Sequence, residues 1–303
     1  MLVVVCPGQG SQTPGMLSPW LEIDSFRASI ESQQAASGVA LIEHGTNSDA
    51  DTIRDTAIAQ PLIVASGVAS MATLELAGVA GFAGHSVGEI TAAVAAGVFT
   101  PEVGIRFVTE RANQMAKAAK TVETSMAAVL GGEQSIVEAR LAELGLEPAN
   151  YNGGGQIVAA GAAEAIAALQ AEGPAGARVI PLQVAGAFHT RYMAEASDSL
   201  ADYAKSVEVK DPATKLFTNA GGRIVTSGSE FLALLVNQVK SPVRWDLCMQ
   251  AMLDAGVTAI LEVAPGGTLV GLAKRSMPGI EAVALKSPEN LDAARELIKN
   301  HSN

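Results

Sequence analysis

The sequence predicts an α/β protein in which a large domain built on a parallel sheet carries a smaller inserted domain. Toward both ends of the chain, short β-branched runs alternate with longer helical patterns, as they do where helices join the strands of a parallel sheet. In between, the predicted order is β-α-β-β-α-β, the order of a ferredoxin-like unit inserted over about 60 residues. We therefore assign residues 1–120 and 191–303 to the large domain and residues 121–190 to the small domain.

The elements of the large domain follow from hydrophobic runs and from the glycines and prolines that end them. Residues 2–6 form a β-branched run ended by Pro7 and Gly8, which predicts a buried strand leading into a loop. Pro61 lies in the first turn of an Ala-rich pattern, where a helix tolerates proline. The predicted strands are residues 2–6, 79–82, 216–219, 257–263 and 281–285; the predicted helices are residues 26–36, 57–76, 90–99, 102–119, 230–238 and 269–275, with another opening at residues 242–245.

The elements of the small domain are shorter and follow one another more closely. Its predicted strands are residues 126–130, 150–152, 157–160 and 178–182, and its predicted helices are residues 134–144 and 163–171. We expect this domain to cover one edge of the large sheet, since a cleft between two domains is a common ligand site.

The composition is that of a folded protein with a large core. Of the 303 residues, 49% are hydrophobic and 17% are charged, which argues against intrinsic disorder. The net charge of −11 argues against non-specific nucleic-acid binding, and an acidic partner would need a local basic patch. Cys6 and Cys248 are the only cysteines, so we expect no disulfide framework and a reducing compartment.

No segment of the sequence predicts secretion or membrane insertion. The apolar N-terminal run has no basic segment before it and meets Pro7 too early for a signal peptide. No apolar run is long enough to cross a bilayer, and no Cys/His cluster has the spacing of a metal site. We expect a soluble cytoplasmic protein without a metal, and with neither a membrane nor a nucleic acid as a partner.

The motif on which the functional prediction depends is Gly-His-Ser-Val-Gly-Glu at residues 84–89, between a predicted strand and a predicted helix. Its serine, Ser86, has glycines two positions before and two after it, the spacing of the nucleophile elbow of α/β-hydrolase-like sheets. The backbone N–H after the serine and the start of the following helix then point at an acyl oxygen. The same pattern also fits a flexible loop. The elbow interpretation favours an α/β-hydrolase-like large domain, with the small domain covering the sheet edge where Ser86 emerges.

A nucleophilic serine needs a neighbouring base, and His189 is the best candidate. His44 lies in a Gly- and Asn-rich loop and His301 in a polar tail, while His85 adjoins Ser86, where neighbouring side chains diverge. A lone histidine after an apolar stretch is also often structural. No aspartate lies between Ser86 and His189, and the glutamates there fall mostly on polar helix faces. We therefore expect a neutral group, such as a backbone carbonyl, to orient the histidine.

Two further polar residues have more than one interpretation. Gln9 lies in a glycine-rich loop that lacks the Gly-Lys-Ser/Thr of a phosphate-binding loop. The loop is either a tight turn or a device that presents the Gln9 amide or backbone N–H to the site. Arg111 lies in the helix predicted over residues 102–119, where an arginine by itself is expected to be a solvated surface charge.

Six motifs follow one another in a specific order along the chain. They are Gly-Gln-Gly-Ser-Gln, Gly-His-Ser-Val-Gly-Glu, an arginine 25 residues after the serine, Asn-x-Asn-Gly-x-x-Gln-x-Val-x-x-Gly, Gly-Ala-Phe-His and Gln-x-x-x-Pro-Val-x-Trp. Together they resemble malonyl-CoA:acyl carrier protein transacylases, the stand-alone relatives of polyketide synthase acyltransferase domains. The resemblance extends from Pro7 to about Arg275. Any one motif is unspecific, whereas six in order are highly specific.

The resemblance implies catalytic roles for five residues. Ser86 matches the family nucleophile and His189 matches its base. In this family a main-chain carbonyl orients the histidine, and the matching position is Gln238, which agrees with the missing aspartate. Gln9 and Val87 match the positions whose backbone N–H groups form the oxyanion hole.

The resemblance also implies four substrate-binding positions. Arg111 matches the arginine that pairs with the malonyl carboxylate, which replaces its interpretation as a surface charge. Phe188 matches the position associated with malonyl over methylmalonyl, where an aromatic ring would crowd an α-methyl group. Asn152 and Asn219 match polar positions near the site. The compact segment at residues 76–81 departs from relatives with a longer loop there, and we expect no effect on the chemistry.

The implied reaction is ping-pong transfer of a malonyl group from malonyl-CoA to the phosphopantetheine thiol of an acyl carrier protein. It implies no cofactor beyond malonyl-CoA as substrate, and we expect a monomer. The carrier protein is acidic in this family, and the candidate docking residues are Lys274, Arg275, Arg191 and Lys117. A serine acyl hydrolase or thioesterase with the same dyad and a non-catalytic carrier-protein docking module are the alternatives.

Overall fold

The structure, a computed structural model, describes residues 1–302, so that residue 303 of the predicted large domain lies outside the described residues. The strands are β1 Leu2–Cys6, β2 Gly81–Gly84, β3 Thr124–Gly131, β4 Glu147–Gly153, β5 Gln156–Ala162, β6 Ala177–Leu182, β7 Lys215–Phe217, β8 Ile224–Val225, β9 Val243–Arg244, β10 Ala259–Glu262 and β11 Glu281–Ala284. The α-helices are α1 Asp24–Ser37, α2 Leu41–Thr46, α3 Thr56–Met71, α4 Gly88–Ala95, α5 Pro101–Ala119, α6 Gln134–Glu143, α7 Ala163–Ala171, α8 Ala194–Ala204, α9 Gly228–Gln238, α10 Trp245–Asp254, α11 Thr268–Ser276 and α12 Leu291–His301. Short 3-10 helices lie at Trp20–Glu22, Thr52–Arg54, Arg191–Met193 and Pro288–Asn290.

The larger sheet has the strand order β11-β10-β1-β2-β7-β8 and is parallel except for the pair β7 and β8. The side chains of β1 divide between its two faces: Leu2 and Val4 belong to one hydrophobic cluster, and Val3 and Val5 to another. Helices therefore cover both faces of the sheet. This double covering explains why the strand is an uninterrupted apolar run rather than an alternating one.

The loops that follow β1 and β2 meet at the carboxyl edge of this sheet. The two strands are parallel neighbours, and Cys6 is paired with Gly84 where both strands end. The segment containing Gln9 and the turn containing Ser86 consequently start side by side. Ligands of open parallel sheets bind at this edge, outside the carboxyl ends of the strands.

The smaller sheet has the strand order β6-β3-β5-β4-β9. From β3 to β6 the chain follows the predicted β-α-β-β-α-β order, and these four strands pair antiparallel. The fifth strand, β9, pairs in parallel with β4 through Val243 and Asn150. The helix predicted to open at residues 242–245 begins only at Trp245, because the backbone of Val243–Arg244 is used in this pairing.

Several predicted boundaries near the elbow differ from the structure, and the helix predicted over residues 90–99 is Gly88–Ala95. The helix predicted over residues 57–76 ends at Met71, and the strand predicted at residues 79–82 is Gly81–Gly84. The strand is placed by its pairing with β1, in which Val3 lies opposite Gly81. A Cβ at Gly81 would lie 2.8 Å from the Lys215 carbonyl oxygen, so the glycine permits the close approach of β7.

Cys6 and Cys248 are buried free thiols. Burial raises the pKa of each thiol well above its usual range, which favours the unreactive protonated form. Among residues 1–302, none of the helices has both the length and the apolar character that crossing a bilayer requires.

Candidate active site

Ser86 occupies a strained turn between β2 and α4. Its φ is 52°, in the left-handed region that few residues other than glycine adopt. Close approaches explain the flanking glycines: a Cβ at Gly84 would lie 2.0 Å from the carbonyl carbon of Gly88, and one at Gly88 would lie 2.1 Å from the Cys6 carbonyl oxygen. The turn therefore has the sharp strand-to-helix geometry of a nucleophile elbow.

His189 contacts Ser86 across 103 residues of sequence. Ser86 Oγ lies 2.7 Å from His189 Nε2, and His189 Nδ1 lies 2.8 Å from the Gln238 backbone carbonyl oxygen. Since a carbonyl oxygen only accepts, Nδ1 carries the proton and Nε2 presents its lone pair to the hydroxyl. Within the part of the chain that the structure describes, no carboxylate is hydrogen-bonded to the His189 ring.

The surroundings of His189 keep its ring neutral. Burial, and secondarily the nearby Arg111 cation, lower the pKa of His189 to about 3. The backbone of His189 has a φ of 62°, and its N–H donates to the Val239 carbonyl oxygen at 3.0 Å. The residues at the end of α9 thus hold both the ring and the main chain. A neutral, oriented imidazole is able to accept the Ser86 proton at physiological pH.

Arg111 is fully buried on α5, which overturns its interpretation as a solvated surface charge. Its Nη1 donates to Gln60 Oε1 at 2.6 Å, and its Nη2 donates to Gln238 Oε1 at 2.9 Å and lies 3.4 Å from Ser86 Oγ. Burial lowers the pKa of Arg111 to about 10, so the guanidinium stays charged at neutral pH. A cation whose direct partners are neutral amides and a hydroxyl remains able to pair with an anionic group.

The loop after β1 passes directly over the elbow. A Cβ at Gly8 would lie 2.7 Å from the His85 carbonyl oxygen, so the approach depends on a glycine at position 8. Among residues 1–302, the backbone N–H groups of Gln9 and Val87 donate to no backbone carbonyl. Gln9 lines the same cavity as Ser86, and Val87 follows Ser86 directly. Both N–H groups are thus without a backbone acceptor, which the oxyanion-hole positions implied by the resemblance require.

Two asparagines join the elbow to other segments. Asn219 Oδ1 accepts the Ser86 backbone N–H at 2.8 Å, and Asn219 Nδ2 donates to the Gly84 carbonyl oxygen at 2.8 Å. Asn152, on β4 of the smaller sheet, has its Oδ1 2.8 Å from His85 Nε2. The His85 ring is therefore bonded to the smaller sheet, in agreement with the expected divergence from Ser86.

Ser86 and His189 line a cavity of about 300 Å³ between the two sheets. Gln9 and Leu272 line it from the elements of the larger sheet, and Met126 and Val158 from strands of the smaller sheet. Phe188, which is buried, lies in the same wall. Within the described residues, no group of three His, Cys, Asp or Glu side chains is placed to hold a metal ion.

Two buried polar residues are missing from the site predicted from the sequence. Gln60, on α3 immediately before Pro61, accepts a hydrogen bond from Arg111. Glu89, the second residue of α4, is 1% exposed, and burial raises its pKa to about 8. The expectation of a polar helix face is wrong for Glu89, because α4 is buried around its first turns. The available signal was its place at the end of the elbow motif, directly before Ile90 in an apolar run.

Nearly the whole chain matches one known protein family. Residues 3–290 match the model of a family described as acyl transferase domain. The chain belongs to the acyl transferase family. This match confirms the family resemblance read from the six motifs, and the protein is an acyltransferase.

Two curated relatives of this acyltransferase share one name. The malonyl CoA-acyl carrier protein transacylase of Mycobacterium tuberculosis (strain ATCC 25618 / H37Rv) is 46% identical over 98% of this chain and 100% of its own length. The protein of the same name from Escherichia coli (strain K12) is 32% identical over 97% of this chain and 98% of its own length.

Solved structures share the fold of this acyltransferase over nearly its whole length. The crystal structure of MCAT from Mycobacterium tuberculosis has a TM-score of 0.94 and 45% identity, covering 97% of this chain and 99% of its own. The acyl-carrier-protein S-malonyltransferase of Burkholderia pseudomallei has a TM-score of 0.91 and 32% identity, covering 98% and 99%. A malonyl-transacylase in complex with its type II PKS acyl-carrier protein has a TM-score of 0.91 and 29% identity, covering 97% and 99%.

Proposed function

We propose that this acyltransferase moves the malonyl group from malonyl-CoA to the phosphopantetheine thiol of an acyl carrier protein, through an ester on Ser86. The observation that carries the proposal is the buried Arg111 cation beside the hydrogen-bonded Ser86–His189 pair. A guanidinium binds a carboxylate through two parallel hydrogen bonds, and malonyl is an acyl group that ends in a carboxylate. The names of the curated relatives support the same donor and acceptor.

The first half-reaction forms the acyl-enzyme. His189 Nε2 accepts the Ser86 hydroxyl proton while Ser86 Oγ attacks the thioester carbonyl carbon. The resulting oxyanion is stabilised by the backbone N–H groups of Gln9 and Val87, and the loss of one such donor typically raises a barrier by about 3 kcal/mol. The carbon–sulfur bond then breaks, and CoA leaves as a thiol that takes the proton from His189. General base action of this kind contributes roughly 10²- to 10⁴-fold.

The second half-reaction runs the same steps in reverse with a different thiol. The carrier-protein phosphopantetheine thiol gives its proton to His189 and attacks the Ser86 ester carbonyl. The tetrahedral intermediate collapses with release of Ser86 Oγ, which regains the proton from His189. These steps require no cofactor beyond the two substrates.

Selection of the acyl group rests on Arg111 and Phe188. The malonyl carboxylate would pair with the guanidinium, which is held by Gln60 and Gln238 beside Ser86. A charge-assisted hydrogen bond contributes about 1.5–3 kcal/mol. The Phe188 ring, directly before His189 in the cavity wall, would crowd an α-methyl substituent.

We further propose the finer architecture predicted from the sequence. The elbow on a parallel sheet supports an α/β-hydrolase-like domain of residues 1–120 and 191–303, and the strand order β6-β3-β5-β4 supports a ferredoxin-like domain of residues 121–190. The strand β9 belongs to the large domain and pairs with β4 of the small domain, so this pairing joins the two domains. A monomeric state and a cytoplasmic location stay predictions.

Mass spectrometry of the intact protein mixed with malonyl-CoA tests the function. We expect a persistent malonyl adduct that maps to Ser86 and that leaves on addition of a phosphopantetheine-bearing acyl carrier protein, which gains it. Ser86→Ala should form no adduct, whereas Ser206→Ala, which changes an exposed serine, should behave as wild type.

Two outcomes of the same experiment would contradict the proposal. Rapid release of free malonate without transfer to the carrier protein would identify a serine hydrolase. Unchanged malonyl transfer by Ser86→Ala would show that Ser86 is not the nucleophile.

A further inference from the structure

Glu89 lies just behind the reacting residues and has no part in the steps described above. It is buried, and it follows Ser86 by three positions on the first turn of α4. Its Oε1 accepts the Asn219 backbone N–H at 2.6 Å, and its Oε2 accepts from Gln238 Nε2. One carboxyl group thus contacts both the segment that holds the elbow and the residue that holds the His189 ring.

Three acceptors give the Gln238 amide a single orientation: its Nε2 donates to Glu89 Oε2, to the Ser86 carbonyl oxygen at 3.2 Å and to Asn219 Oδ1 at 3.3 Å, and of these three Glu89 is the acidic one. An amide has one donating end and one accepting end. With Nε2 directed at Glu89, the accepting Oε1 faces Arg111, whose Nη2 donates to it at 2.9 Å. A reversed amide would place an NH₂ group against a guanidinium, which has only donors, and an oxygen against the carboxyl group of Glu89.

We propose that Glu89 is a positioning residue that sets the selectivity for a carboxylated acyl group, by holding the Gln238 amide so that its oxygen fixes Arg111 beside Ser86. This inference rests on the proposed pairing of Arg111 with the malonyl carboxylate. The arrangement also keeps the acidic group one side chain away from the guanidinium. A carboxylate bonded directly to Arg111 would compete with the substrate, whereas an amide between them orients the cation and leaves its charge available.

Electrostatic coupling between the two buried groups agrees with this arrangement. Burial lowers the pKa of Arg111, and the Glu89 carboxyl group opposes that shift. For Glu89, burial is the largest influence on the pKa, and the hydrogen bonds from Asn219, Thr218 and Gln238 together with the Arg111 charge act against it. Both groups therefore favour each other's charged form across the intervening amide, and the two acceptor contacts of Glu89 belong to its ionised form, which predominates above a pKa of about 8.

The decisive variant is Glu89→Gln, which preserves shape and removes one acceptor. A glutamine there cannot accept from both the Asn219 N–H and Gln238 Nε2 without presenting a donor to a donor, so the Gln238 amide should lose its acidic acceptor and hold Arg111 less firmly. We expect the rate of Ser86 acylation by malonyl-CoA to fall about 10-fold or more relative to the rate with acetyl-CoA. Both rates are measured by burst release of CoA at about pH 9, where Glu89, whose pKa is about 8, is ionised in the wild-type protein. Glu110→Gln makes the same chemical change on a partly exposed residue beside Arg111 in sequence and should leave both rates unchanged.

A double-mutant cycle with Gln238→Met separates positioning from general stability. Methionine keeps the backbone carbonyl that orients His189 but has no amide, so Gln238→Met alone should lose the same selectivity. Adding Glu89→Gln to it should change the malonyl-to-acetyl ratio no further. If Glu89→Gln does not fold, the single variant Gln238→Met still tests the role of the amide.

Different results of these experiments would contradict either the role of Glu89 or the proposed function. Equal loss of malonyl and acetyl rates in Glu89→Gln, or a further loss of selectivity in the double variant, would overturn the role of Glu89. Retained selectivity in Gln238→Met would overturn it as well. A wild-type protein that forms no malonyl ester would instead overturn the proposed function.

Discussion

The His189 Nδ1 atom lies 2.8 Å from the backbone carbonyl oxygen of Gln238, where a carboxylate stands in a Ser-His-Asp triad. A carbonyl fixes the tautomer without adding a negative charge to the site. A buried carboxylate at this point would also lie near Arg111 and compete for its guanidinium. The neutral partner is therefore compatible with a site that must keep its one cation available for an anionic substrate.

The pH dependence of acylation follows from the environment of His189. Burial and the Arg111 cation lower its pKa from 6.5 to about 3, so the base stays deprotonated as the pH falls through the usual histidine range. We expect the rate of Ser86 acylation by malonyl-CoA, measured by burst release of CoA, to show no inflection between pH 7 and about pH 5. A decline centred near pH 6.5 would contradict the lowered pKa of His189.

The same shift affects stability with a defined sign. The unfolded chain protonates His189 near pH 6.5 and the native protein only near pH 3, so His189 lowers the free energy of unfolding as the pH falls between these values. His189→Gln should flatten this part of the pH profile, measured by urea unfolding. Parallel profiles for the two proteins would contradict the expectation.

Replacing Arg111 should change the choice of acyl group. Arg111→Ala removes the guanidinium beside Ser86 Oγ, so malonyl transfer should be lost and transfer of an unsubstituted acyl group such as acetyl should be gained. Arg111→Lys is the matched variant: it keeps the charge, but an ammonium cannot form two parallel bonds, so little malonyl transfer should return. A wild-type malonyl rate in Arg111→Ala would show that the assigned role is wrong.

Enlarging the cavity at Phe188 should admit a branched acyl group. Phe188→Ser removes the ring from the wall next to His189, and we expect the rate with methylmalonyl-CoA to rise relative to malonyl-CoA. Phe231→Leu, a buried aromatic residue outside the cavity lining, serves as the control for a general loss of packing. An unchanged ratio in Phe188→Ser would exclude the ring as a steric filter.

Asn219 should contribute to the stability of the elbow. Asn219→Leu leaves the Ser86 N–H and the Gly84 carbonyl without their side-chain partner, and each buried unsatisfied group costs about 1–3 kcal/mol. The free energy of unfolding in urea should fall by at least this amount, whereas exposed Asn237→Leu should change it little. Equal stabilities would show that the elbow holds without Asn219.

The exposed cations at the end of α11 are the strongest candidates for carrier-protein docking. Lys274 and Arg275 form no ion pair within residues 1–302, and Arg275 donates to Gln156 Oε1 at 3.4 Å, on the rim of the cavity. Of the other two candidates, Arg191 is paired with Glu147 at 2.5 Å and Lys117 lies exposed on α5.

Charge reversal tests this surface. Lys274→Glu with Arg275→Glu should raise KM for the acyl carrier protein and leave KM for malonyl-CoA unchanged, because rim charges act on a macromolecular partner. Arg295→Glu with Lys299→Glu on α12 is the matched reversal away from the cavity. Equal changes in both KM values for the α11 variant would reject the surface.

Local patterns predicted most of the strands and helices, and many of their first and last residues to within about two positions. The run of β1 and the helix α7 have the bounds that the sequence predicts, and α5 differs by one residue. The helices α2, α8 and α12 were not predicted, and the placement of His44 in a loop is wrong because it lies in α2. In α12 the apolar residues nevertheless recur at helical spacing from Leu291 to Ile298. The two-residue strand Val243–Arg244 has no comparable signal, because only its partner strand makes it a strand.

The residues of the candidate site also divide into those that the sequence predicts and those that it does not. Ser86 could be predicted because a tight turn imposes a local glycine pattern, and the family motifs pointed to Gln9, Arg111 and His189. Gln60 and Glu89 were missed. A polar side chain on a helix is ordinarily a surface residue, and only its packing partners show that it is buried and bonded.

The sequence by itself determined the elbow, the α/β class and the family, since each depends on residue types at short spacing or on the order of motifs. The tertiary structure alone decided which groups hold Arg111 beside Ser86 and which end of the Gln238 amide faces it. These contacts join residues 25, 103, 127 and 152 positions apart. Their distances follow from the order of strands in two sheets, which no local pattern specifies.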